Sequence, residues 1–131
     1  MAEAKDTYGK VFKQASAVLM ARVVGNDAAA IVQADIASAE YTIYELDDAD
    51  PDAQTAVAGH TGVSLVVADV VFNGLQTDFW TVDGTGYNFR LIPDVSGNQA
   101  FAEAGKRYGV EVRLTPVEGQ VIVLRFRCNV I

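Results

Sequence analysis

The clearest pattern of apolar and polar positions lies near the C-terminus. Tyr108, Val110, Val112 and Leu114 alternate with Gly109, Glu111, Arg113 and Thr115; further on, Ile122, Leu124, Phe126, Cys128 and Val130 alternate with Val121, Val123, Arg125, Arg127 and Asn129. A strict period of two marks strands that bury one face. Pairing Leu114 with Ile122 and Val110 with Phe126 puts both apolar rows on the same face, whereas a slip of one residue would expose one of them. This register leaves Val117, Glu118 and Gly119 as the loop, with Pro116 facing Gln120. Such loops need a left-handed residue at their end, and Gly119 supplies it. The register also sets Glu111 opposite Arg125, a favourable cross-strand charge pair.

Upstream the pattern is weaker. Ala17 to Val24 reads as a first strand, closed by the turn signal Gly25-Asn26-Asp27. Residues 28–39 are rich in alanine, which favours helix, and Asn26 or Asp27 could cap one. Val32, Ala34 and Ile36 nevertheless alternate with Gln33 and Asp35, and Tyr41 to Tyr44 are strand formers. The favoured reading is two strands joined near Ala37-Ser38. Residues 47–58 form a polar, acidic loop around Pro51, ended by Gly59-His60-Thr61-Gly62. A short strand follows over Val63 to Val67, then a turn or helical turn from Asp69 to Leu75. Thr85-Gly86 leads into a strand, Tyr87 to Ile92, which Pro93 stops. Residues 94–106 form a long connection with a helical turn near Ala100 to Ala104.

Several short strands separated by turn signals predict an all-β fold, an immunoglobulin-like antiparallel β-sandwich of about seven strands. The sandwich is expected over 17–131 as a single domain, preceded by a loose polar leader over 1–16. Val11, Phe12 and Ala15 could instead open a short helix, which leaves α+β with an N-terminal helix as the alternative. Tyr108 takes the early position in the penultimate strand where such folds place a corner tyrosine, but the paired cysteines of antibody domains are absent.

Composition narrows the function. The chain of 131 residues carries 10 Lys+Arg against 17 Asp+Glu, a formal charge of −7. Nucleic-acid binding needs a basic footprint, and an anionic membrane surface needs one too, so neither partner is expected. The polar first ten residues hold no signal-peptide core, and no apolar run approaches the roughly 20 residues of a membrane helix. A cytoplasmic protein, or one built into an assembled particle, is the expectation. Cys128 is the only cysteine and falls on the buried row, where it serves as a small apolar filler rather than a reactive thiol.

Five groups of residues could carry chemistry. Asp47, Asp48, Asp50 and Asp52 offer the oxygen ligands that calcium takes, but the glycine and distant glutamate of an EF-hand loop are missing, so they read as a solvated turn. His60 is the only histidine and has no second histidine or thiol for zinc. A triad of His60 with Asp69 or Asp83 and Ser64 or Ser96 lacks nucleophile-elbow spacing, and His60 reads as a loop histidine bonded to nearby backbone. Phe79, Trp80, Tyr87 and Phe89 could stack on sugars or anchor a partner if exposed. In a domain this small they are expected instead to lid and fill the core, with Asn88 and Arg90 pointing outward. Val121 and Val123 lie on the face away from the core beside Arg125 and Arg127. Outward valines on a terminal strand call for cover, by residues 1–16 or by another subunit.

The phrases YTIYELDDADPDA (Tyr41 to Ala53), GHTGVSL (Gly59 to Leu65), WTVDGTGYNFR (Trp80 to Arg90) and VEVRLTPVEGQVIVLRFR (Val110 to Arg127) resemble small uncharacterised proteins of tailed phages, prophages and integron-type mobile gene cassettes. The resemblance runs from about Ala17 onward. It implies a small β-sandwich with a virion or accessory role, and no site residues transfer with it. The expected function is a non-enzymatic structural or protein-binding module, without catalytic residues, metal or cofactor, that associates with itself or with another protein. Its contact residues are expected among Trp80, Phe79, Tyr87, Val121, Val123 and Arg125. The alternatives are a carbohydrate- or small-ligand-binding sandwich using Trp80 and, behind it, a hydrolase.

Overall fold

The alternating C-terminal run folds into an uninterrupted antiparallel ladder. In the computed structural model, which describes residues 6–11, 18–24, 29–46, 54–78, 80, 84–93, 100–101 and 105–130, β8 (Arg107–Pro116) and β9 (Ile122–Val130) pair antiparallel. Leu114 faces Ile122, Val110 faces Phe126 and Glu111 faces Arg125. Gly119 has φ 96°, the left-handed value that the loop demands and that a side chain would resist.

Seven further strands complete the described fold: β1 (Asp6–Val11), β2 (Leu19–Ala21), β3 (Ile36–Leu46), β4 (Gln54–Ala56), β5 (Val63–Leu65), β6 (Val71–Gln76) and β7 (Tyr87–Leu91). The larger sheet runs β1-β9-β8-β3, and both β4 and β5 pair with the far edge of β3. The smaller sheet runs β2-β7-β6. This is the strand order of an immunoglobulin-like sandwich, in which the second, fifth and fourth strands face the third, sixth and seventh. Helix is confined to one turn, Val67–Val70, and one 3-10 turn, Gln33–Asp35, among the described residues.

The core lies between the sheets. Ala39, Tyr41 and Ile43 from β3, the row Tyr108, Val110, Val112 and Leu114 from β8, and Ile122, Phe126, Cys128 and Val130 from β9 meet Leu19, Val71, Phe89 and Leu91. Phe89 stacks on Phe126 across the gap with ring centroids 6.2 Å apart. Each such side chain contributes about 1.5–3 kcal/mol when fully buried. Leu124 is only partly buried at the margin of this cluster. Phe101 packs edge-on against Tyr108, which fills the corner position at the start of β8.

The fold corrects the sequence reading at several points. Asp6–Val11, expected in a loose leader, form a strand parallel to β9, with Asp6 beside Arg125 and Val11 beside Val130 in register. The free edge of β9 presents unpaired backbone groups that a polar, weakly patterned segment can satisfy as well as an apolar one. The two strands expected to join near Ala37-Ser38 are one, β3, with a register shift against β8 between Ile36 and Ser38. The break comes earlier, at Gln33–Asp35, where Asp35 accepts from the backbone N–H of Val32 and its carbonyl accepts from the N–H of Val117. Val11, offered as the opening of an N-terminal helix, lies in β1, and the described residues are mostly strand; Phe12 and Ala15 lie outside them. Residues 71–76, read as part of a turn, are strand β6, and the end of the acidic loop holds β4.

The smaller sheet is irregular. β6 shifts register against β7 between Val71 and Gln76. Gly86 has φ 103°, and a Cβ there would stand 2.3 Å from the Gln76 carbonyl oxygen, so only glycine lets the two backbones approach. Asn88, expected to point into solvent, is buried. Its Oδ1 accepts from Val23 N–H at 2.7 Å, and its Nδ2 donates to the carbonyls of Val23 at 3.0 Å and Ile31 at 3.2 Å. The side chain ties the chain on either side of residues 24–30 to β7. No buried side-chain nitrogen or oxygen among the described residues lacks a partner.

Candidate functional site

The inner and outer faces of the larger sheet differ in kind. Behind the buried rows, the outer side of β8 carries Arg107, Gly109, Glu111, Arg113 and Thr115, and that of β9 carries Val123, Arg125, Arg127 and Asn129. The register sets Val123 beside Arg113, and Arg113 beside Glu40 of β3. Val121, just before β9, is 40% exposed, and Val123 is half-buried. Glu111 meets two guanidinium groups: Arg113 Nε lies 3.3 Å from Oε1, and Arg125 Nε lies 3.7 Å from Oε2. One carboxylate thus serves two exposed arginines, and the exposed Glu40 of β3 stands beside one of them. Exposed pairs of this type contribute about 0–1 kcal/mol each. They orient the arginines more than they stabilise the fold.

β1 does not shield this surface. It lies beside β9 in the plane of the sheet, so it widens the face instead of covering it. Of the segment 1–16 expected to cover the valines, residues 6–11 therefore do not lie over them, and the rest lies outside the described residues. At the opposite end Leu46 is buried over Gly109, where a larger residue would meet its methyl groups at 3.7 Å.

The aromatic residues separate. Tyr87 and Phe89 are buried in the core, at 1% and 0% exposure. Trp80 is partly exposed and tilts at 46° against Tyr87, 5.7 Å between centroids, so one side of its ring system is engaged within the chain. Phe72 meets Tyr87 edge-on, and the Arg90 guanidinium sits 5.3 Å above the Phe72 ring. Sequence gave no sign of Phe72 as a member of this group, because it falls in the irregular part of β6. Phe79 lies outside the described residues. An array of open ring faces for sugar stacking is not assembled: Tyr87 is core, and Trp80 leans on it.

His60 is buried, and the segment between β4 and β5 carries it inward. The Ile43 N–H donates to the His60 carbonyl at 2.8 Å, the Val57 N–H to the Ile43 carbonyl at 2.8 Å, and the Gly62 N–H to Thr42 Oγ1 at 2.9 Å. These bonds fix a bulge along β3 that places the imidazole Nδ1 2.9 Å from the Tyr41 hydroxyl. The partner is thus a core side chain as well as backbone, and Ser64 is exposed on the other face of β5. Asp83, Ser96 and the acidic residues Asp47, Asp48, Asp50 and Asp52 lie outside the described residues. No group of three or more potential metal ligands occurs among those described.

Cys128 is buried, and burial pushes its thiol up to about 11 from an ordinary value near 9. Desolvation disfavours the thiolate, so the residue fills space and stays protonated at neutral pH. One other exposed apolar pair stands out: Val18 and Ile92, at 56% and 53% exposure, one step beyond the Leu19–Leu91 pairing. It adjoins residues 12–17 and 94–99, which are outside the described set.

No helix among the described residues is long and apolar enough to cross a membrane. Compared with protein-family models, with curated proteins and with solved structures, the chain matches none.

Proposed function

We propose that this chain is a non-enzymatic protein-contact module that self-associates through the outer face of the β3-β8-β9 sheet. One observation carries the reading: Val121 stands exposed and Val123 half-buried beside Arg113 and Arg125, and residues 6–11, part of the segment 1–16 expected to cover them, lie at the sheet's edge. Valine with arginine is the mixture that protein interfaces use, an apolar contact with oriented cations around it. The sandwich supplies a rigid, regular platform for such a contact. The sequence resemblance to small proteins of tailed phages and mobile gene cassettes supports placing the module in a virion or accessory assembly.

Sedimentation velocity over a concentration series tests the reading. Concentration-dependent association, weakened about tenfold or more in a Val121→Ser/Val123→Ser variant that folds normally, is expected. Association unchanged in that variant, or a wild-type chain that is monomeric throughout, would overturn it.

A further inference from the structure

Strand register lays out the outer face of the larger sheet in rows. Thr115 of β8 and Ser38 of β3 are paired, and both are exposed. Val121 stands one residue beyond the Leu114–Ile122 pair on the β9 side, and Val66 one residue beyond the Ala39–Leu65 pair on the β5 side. Ile122 and Leu65 pack against the core, so alternation turns both valines outward. Val121 is 40% exposed and Val66, whose backbone is still extended, 63%. The row from β9 to β5 is therefore Val121, Thr115, Ser38, Val66. The next outward row is Val123, Arg113, Glu40, Ser64. The seam between β8 and β3 divides both rows at their middle. A valine flanks it at either end of the first row, and an arginine and a glutamate adjoin it in the second.

Glu40 is exposed and makes no ion pair among the described residues, because Arg113, its neighbour in register, turns to Glu111 instead. A second copy can supply the missing partner. A two-fold axis lying in the contact plane along the seam exchanges β8 with β3 and β9 with β5. Sheets packed face to face keep their strands nearly aligned, so each row meets the same row of the other molecule. Arg113 then lies over Glu40 of the second copy and Glu40 over its Arg113, while Val121 lies over Val66 and Val66 over Val121. Axes across the strands do worse. Through the Arg113–Glu40 row, such an axis sets arginine on arginine and glutamate on glutamate, a costly arrangement. Midway to the next row, Arg125–Glu111–Thr42, it lays Val121 over Arg127. Of these placements, the seam axis alone joins apolar to apolar and each charge to its opposite.

We infer that two copies of this chain pack face to face about a two-fold axis along the β8–β3 seam, with Val121 on Val66 and Arg113 on Glu40 in both directions. The inference rests on the self-association proposed above and adds its symmetry and two residues, Val66 and Glu40, that the earlier reading does not use. Every contact is made twice, and the contact occupies the face of both molecules, so assembly stops at the dimer. The reciprocal charge pairs fix the register, and the valines supply the apolar area.

Charge reversal followed by sedimentation velocity tests this, with circular dichroism confirming the fold of each variant. Arg113→Glu alone and Glu40→Arg alone each bring like charges together at both contacts, and each is expected to weaken association about tenfold or more. An equimolar mixture of the two restores opposite charges at both contacts and is expected to associate about as tightly as the wild type. The double variant Arg113→Glu/Glu40→Arg is expected to do the same by itself. Val66→Ser is expected to weaken association about tenfold, and the wild type to stop at the dimer. A mixture no tighter than its separate components, with the double variant equally weak, overturns the inference, as does wild-type assembly beyond the dimer. If Val121→Ser/Val123→Ser is weakened while both reversals and Val66→Ser associate like the wild type, the seam geometry falls and self-association through the face stands. A wild type monomeric at every concentration removes both.

Discussion

The two sheets of this sandwich are held by different means. In the larger sheet, β8 and β9 pair without interruption from Arg107–Asn129 to Leu114–Ile122, and the information lies in alternation repeated along two strands. In the smaller sheet, β6 and β7 shift register, and the arrangement depends on single residues: Gly86, which lets the Gln76 backbone approach, and Asn88, which ties down Val23 and Ile31. A pattern spread over many apolar positions tolerates the loss of any one of them. A device made of one side chain does not. The outer surfaces differ correspondingly. Asn88 of the smaller sheet is bonded to its own chain, whereas the larger sheet leaves Val121, Arg113 and Arg125 exposed and Val123 half-buried.

The comparison is broken most directly at Asn88. Asn88→Ala would leave the Val23 N–H and the carbonyls of Val23 and Ile31 without their buried partner, at about 1–3 kcal/mol for each unsatisfied group, or about 4 kcal/mol after partial relaxation. Urea denaturation would show it as a lower midpoint. A loss no greater than that of an exposed substitution would mean that the clip is dispensable. Gly86→Ala should follow at about 3 kcal/mol, since both its positive φ and the 2.3 Å approach to Gln76 must be relieved. If Gly119→Ala in the regular hairpin costs as much in thermal unfolding, the two sheets do not differ as argued.

The packed row of the larger sheet holds one thiol, Cys128. Burial raises Cys128 to about 11, so the folded thiol keeps its proton where the unfolded one, near 9, has lost it. The associated stability is complete below pH 9 and is lost as pH rises toward 11, with a slope of at most about 1.4 kcal/mol per unit. Cys128→Ala should be less stable at neutral pH yet show a shallower decline across that window. Parallel declines in the two proteins would contradict the assignment.

The same contrast explains what sequence could disclose. The strands and register of the hairpin were legible because burial on one face repeats every second residue, but its loop was not: the ladder ends at Leu114–Ile122, and Pro116, expected to face Gln120, pairs with Ile36 instead. The burial of Tyr87, Phe89 and Cys128 followed from that logic. β1 was illegible because its role is to satisfy the backbone edge of β9, which requires no apolar pattern. β6 was hidden by its bulge, and Asn88 looked like a solvent-facing residue because its partners, Val23 and Ile31, are far away in sequence. The outer valines were visible as an anomaly from the start. What sequence could not supply was the position of residues 6–11, at the edge of the sheet and not over its face.

The central claim is that this open face is where copies of the chain meet. It is tested most directly by sedimentation velocity of the wild type beside Val121→Ser/Val123→Ser, a change to an exposed and a half-buried residue expected to cost about 0.5 kcal/mol or less of stability. The account predicts concentration-dependent association of the wild type and its loss in the variant, with both proteins folded. Equal association of the two, or a wild type monomeric at every concentration, would contradict it.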